Sequence, residues 1–89
     1  MKVRTHSFNG KKYYITIEPR YGFASASEKQ DLELIVNTQG LSERQIMYFI
    51  IHEAMHAEDW YMSEAKVERM SKSLRDFLWR LGYRRQIKC

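Results

Sequence analysis

Polar and apolar positions alternate along residues 13–18, where Tyr13, Ile15 and Ile17 interleave with Tyr14, Thr16 and Glu18. That period of two predicts a strand with one buried and one wet face. Before it, Val3, Thr5 and Ser7 run into Asn9-Gly10, a pair that accepts positive φ at both central residues of a tight turn. Residues 2–8 and 11–18 are therefore expected to form a β-hairpin, ended by Pro19. Residues 20–30 show little periodicity and read as a connecting loop, with Tyr21 and Phe23 favoured as core plugs over cleft-rim residues. Leu32-Glu33-Leu34-Ile35-Val36-Asn37-Thr38 predicts a third strand, closed by Gln39-Gly40.

The period then changes. Ser42 and Gln45 have the spacing of a capping box, and Leu41 before them suits a hydrophobic staple. A helix is expected from about 42 to 58, carrying the apolar run Ile46-Met47-Tyr48-Phe49-Ile50-Ile51. A turn over residues 57–62 leads to a second helix at about 63–81, with Ser63 as its cap and Glu64 suited to the dipole of its first turn. Val67, Met70, Leu74, Phe77 and Leu81 recur at helical spacing and predict its core-facing stripe. Gly82 is placed to end it, and residues 83–89 form a polar tail. The expected fold is α+β: a small antiparallel sheet of about three strands packed on two antiparallel helices.

Composition bounds what such a fold can be. Eighty-nine residues form one domain, 1–89, with room for a single modest core. One cysteine, the terminal Cys89, cannot staple it. No apolar run approaches the length that spans a bilayer, and no signal peptide is visible, so a cytoplasmic location and no membrane partner are expected. The net charge of +4 is gathered toward the two ends of the chain; it permits nonspecific contact with nucleic acid but does not favour it.

The chemistry lies in Ile50-Ile51-His52-Glu53-Ala54-Met55-His56. Residues four apart share a helix face, so His52 and His56 can hold one metal between them while Glu53 stands beside it to handle a proton. Two imidazoles do not complete a catalytic zinc site, which normally has three protein ligands and an open position. His6 is expected to be an exposed strand residue. The remaining candidates are Glu64 and Glu68 on the returning helix. Rotation toward the stripe favours Glu64. Axial reach favours Glu68, since a helix antiparallel to the first draws level with the histidines four or five residues in. Glu68 is the expected third ligand, with Glu64 the alternative.

The His-Glu-x-x-His motif followed by a Glu-bearing helix resembles the gluzincin branch of the zincin metallopeptidases. A closer likeness is to very small HExxH proteins of phage and prophage genomes. The matching pieces are Glu64-Ala65-Lys66-Val67-Glu68 and Phe77-Leu78-Trp79-Arg80-Leu81-Gly82-Tyr83, so the likeness covers roughly residues 31–84. It implies Zn2+ on His52 and His56, Glu53 as general base in peptide hydrolysis, and a cleft lined by residues 32–38 that takes a peptide or protein substrate. Tyr48, Tyr61 and Tyr83 are unranked candidates for stabilising the oxyanion. Two other readings stand beside this one: a metal-binding module without hydrolysis that acts through a protein partner, and a small basic domain that contacts nucleic acid. Neither substrate identity nor oligomeric state is encoded legibly.

Overall fold

The computed structural model describes residues 4–19 and 32–85. The elements follow in the order β1 (Thr5–Phe8), β2 (Lys11–Glu18), β3 (Glu33–Asn37), α1 (Glu43–Glu58) and α2 (Glu64–Arg80). The architecture is α+β. Tyr21, Phe23, Cys89 and the whole of the 20–30 loop lie outside the described residues.

β1 and β2 form the expected hairpin, with Asn9 at φ 49° and Gly10 at φ 76° carrying the turn. Among the described residues the sheet order is β1-β2-β3, which puts β3 on an edge. One expectation is corrected: β3 runs parallel to β2, with Ile15 opposite Leu34 and Ile17 opposite Val36, so the sheet is mixed. Parallel neighbours need a crossover of a dozen or more residues. The stretch from Pro19 to Leu32 supplies that length, whereas a hairpin would have used a short turn.

Period-two alternation puts Tyr13 and Ile15 of β2 on the same face as Leu34 and Val36 of β3. Against that face α1 lays Ala57, Ala54 and Ile50, and these residues with Phe8, Ile17 and Leu32 make the core. The two alanines allow the helix to approach the sheet closely. The start of α1 is a complete capping box: the Ser42 amide donates to Gln45 Oε1 at 2.9 Å, and the Gln45 amide donates to Ser42 Oγ at 3.2 Å. Ser63 caps α2 by accepting from the Lys66 amide at 3.2 Å.

The helices run antiparallel. Met55 Sδ meets Ser71 Oγ at 3.6 Å, the Arg75 guanidinium lies 5.6 Å from the Tyr48 ring centre, and Arg44 bonds Asp76 at 2.7 Å. Val67 and Ser71 are fully buried between them. The core-facing stripe expected on α2 is therefore misplaced. At about 100° per residue, the observed contact face centres on Val67 and Ser71, about 60° from the centre of the Val67-Met70-Leu74-Phe77-Leu81 stripe. Leu74, Phe77 and Leu81 are 41%, 58% and 58% exposed. The small Ser71 lets the backbones close together, which turns that face toward α1. Among the described residues α2 packs on α1 and on none of the strands.

This rotation has a measurable consequence. Val67→Ala should cost about 2 kcal/mol, from two lost methyl groups and the cavity they leave. Phe77→Ala, although a larger truncation, should cost under about 1 kcal/mol because its ring is already half in water. Urea titration of both variants checks the order, and a larger loss for Phe77 would place a covering element over that face.

Candidate metal centre

α1 presents three faces to three neighbours. Ile50, Ala54 and Ala57 face the sheet, Met55 faces α2, and His52 and His56 stand one turn apart beside Met55 on the flank nearest Glu64. The imidazoles are close, with ring centres 4.9 Å apart. The Glu64 carboxylate spans both: Oε1 lies 2.9 Å from His52 Nε2, and Oε2 lies 2.8 Å from His56 Nε2. His52 is largely buried and His56 partly so, while Glu64 is exposed at the mouth.

Glu64, the alternative third ligand, thus meets the histidines, and Glu68, the expected one, stands outside the cluster. Rotation overrode axial level. Glu64 is about 40° from the centre of the α2 contact face and Glu68 about 80°. The flexible Glu64 side chain makes up the distance along the axis, whereas Glu68 stays outside the cluster. Its charge still acts there: desolvation, then Glu68 and Glu64, hold the Tyr48 phenol above its ordinary pKa, with Arg75 pulling the other way. The Tyr48 ring in turn packs on His52, with centres 5.6 Å apart. His6 remains exposed on β1 against Phe8, away from the cluster.

The donor set could hold a metal ion: two imidazole nitrogens and a carboxylate oxygen, all within 4.8 Å of one another. A tetrahedral centre with ligands at about 2.0–2.1 Å needs donor atoms about 3.3 Å apart. One feature is incomplete. His52 Nδ1 is buried with no hydrogen-bond partner among the described residues, although a ligating imidazole usually donates its other N–H to a carboxylate or carbonyl.

Glu53 lies on the side of α1 that faces β3. It lines two adjoining depressions along that edge strand. One, about 300 Å³, is walled by Ile35, Val36, Leu41 and Phe49. The other, about 290 Å³, is walled by Tyr13, Leu34, His56, Ala57 and Trp60. Together they form a groove that Glu53 shares, with the His52 and His56 flank of α1 beside it. Along β3 the even-numbered residues bond to β2: Leu32 O accepts from the Tyr14 amide and the Thr38 amide donates to Glu18 O. The peptide groups of Ile35 consequently face the groove edge. The sequence singled out His52, Glu53 and His56, but Phe49, Tyr13 and Trp60 join them only through the fold. The period-two burial of Tyr13 was the sole hint.

Zinc titration of single variants tests the cluster. Glu64→Ala should weaken binding by more than about a hundredfold, as loss of a direct ligand, and Glu68→Ala by less than about tenfold, below the range seen for outer hydrogen-bond partners. The reverse order would reinstate Glu68. Compared with known proteins, the chain matches no family model, no curated protein and no solved structure.

Proposed function

We propose that this chain is a compact zinc-dependent peptidase, with His52, His56 and Glu64 as metal ligands and Glu53 as general base. The observation that carries the reading is the convergence of two imidazole Nε2 atoms on one carboxylate, next to a glutamate that opens onto an edge-strand groove. The likeness of the motif to gluzincin-type and small phage HExxH proteins supports the same reading. When bound, zinc supplies a Lewis acid for the scissile carbonyl and lowers the pKa of the attacking water toward neutrality.

The remaining work falls to the chain itself. The peptide groups of Ile35 offer a donor and an acceptor to an extended segment, in the manner of strand addition to a sheet edge. Ile35, Leu41 and Phe49 give that groove an apolar wall, which keeps bulk water from the scissile bond. A Glu53 carboxylate oxygen accepts one proton from the attacking water as the new C–O bond forms. It returns that proton to the amine nitrogen as the C–N bond breaks, so the carboxylate is regenerated.

An unbiased peptide pool incubated with the zinc-loaded chain should show cleavage that a chelator abolishes. Glu53→Gln should keep one zinc per chain and lose about 10²–10⁴-fold in rate. His52→Ala should lose both zinc and cleavage. Zinc binding without cleavage in the unaltered chain would replace the peptidase by a metal-binding module, and full activity in Glu53→Gln would remove Glu53 as base.

A further inference from the structure

Tyr13 and Trp60 meet at one end of the groove. The Trp60 indole Nε1–H donates to the Tyr13 hydroxyl at 2.7 Å, and the Lys11 ammonium sits 3.9 Å from the Trp60 ring centre on β2's own first residue. An indole nitrogen can only donate. Tyr13 is therefore the acceptor in this bond, and its own O–H proton is left for another partner. Among the described residues the bond from Trp60 is the side-chain hydrogen bond that Tyr13 makes.

The ring that carries this hydroxyl is held firmly. Tyr13 is 6% exposed, belongs to the core with Leu34 and Ala57, and takes Phe8 edge-on with centres 5.3 Å apart. Tyr13 and Trp60, the partner of its hydroxyl, both line the depression that Glu53 and His56 also line. The other polar side chains there are poorly suited to meet a carbonyl oxygen. Glu33 and Glu53 are carboxylates, His56 is engaged by Glu64, and the Trp60 N–H is spent on Tyr13.

We infer that Tyr13 is a catalytic residue of this groove, its phenolic O–H donating a hydrogen bond to the carbonyl oxygen of the bound peptide. The inference rests on the peptidase reading and adds the oxyanion donor which that reading otherwise lacks. As water adds to the carbonyl carbon, the π electron pair moves onto the oxygen, and the Tyr13 hydrogen bond strengthens without transfer of its proton. Glu53 holds the proton removed from water. When the C=O bond re-forms, the C–N bond breaks and the amine leaves with that proton. A rigid donor aimed where negative charge develops stabilises the transition state more than the ground state.

The test uses the zinc-loaded chain and two probes with the same side chains: a Leu-Leu phosphonamidate, which presents a tetrahedral anion, and the plain acetyl-Leu-Leu amide. Tyr13→Phe should keep one zinc per chain and bind the amide within about threefold of the unaltered chain. It should bind the phosphonamidate about 10–100-fold more weakly, a loss of the kind that follows removal of one oxyanion donor. Trp60→Phe retains the hydroxyl and should lose much less phosphonamidate affinity than Tyr13→Phe. In the unaltered chain the phosphonamidate should bring the Tyr13 phenolic proton into view as a downfield NMR signal, a reading that needs no variant. Unchanged phosphonamidate binding in Tyr13→Phe, equal losses in the two variants, or no phenolic signal would overturn the inference. Zinc content separates the layers: a chain that takes up no zinc removes the peptidase reading, while zinc binding with no Tyr13 effect removes only Tyr13.

Discussion

The contact of Val67 and Ser71 with α1 fixes where everything on α2 points. Both are fully buried, and Ser71 touches Met55, the residue just before His56. A helix locked at that rotation has few options for its first turn. Glu64 falls toward the histidines, Glu68 falls beyond them, and the larger apolar residues turn to solvent. A bulkier side chain at position 71 would push the helices apart or roll α2, and either change would withdraw the carboxylate from His52 and His56. The His52–His56–Glu64 cluster is in this sense a product of helix packing, with the small serine as its pivot.

Polar contacts at the far end of the helix pair reinforce the same rotation. Asp76 accepts from Arg75 and Arg44, and those two bonds, Arg75's first, hold its carboxyl below its usual pKa. Arg85 reaches back to Glu43 at 3.0 Å. Each pair is exposed and individually weak. Their value is geometric: they tie the start of α1 to the end of α2 while the buried residues tie the middle, so the helices are restrained at more than one level.

The groove depends on a different constraint, the parallel placement of β3. Because β2 takes the centre of the sheet, β3 ends it beside α1 among the described residues, and Glu53 comes to line both depressions there. Tyr13 and Trp60 then close one end through a bond between β2 and the turn after α1. A hairpin, an edge strand and a helix thereby contribute to one cleft although they are distant in sequence.

Local signals in the chain determined its local structure. Asn9-Gly10 specified the hairpin, Ser42 with Gln45 specified the start of α1, and the four-residue spacing of His52 and His56 placed two imidazoles on one face, because each depends on backbone geometry within a single turn or strand. The direction of β3, the rotation of α2 and which glutamate meets the histidines were decided only in the tertiary structure. The first depends on a crossover whose length permits a parallel pairing that strand patterning cannot distinguish. The others depend on which of several apolar faces packs best, and Ser71, a polar residue absent from any hydrophobic stripe, won that position by being small. Tyr13 belongs to the same class: alternation marked it as buried, but only folding brought its hydroxyl to Trp60 and to the groove.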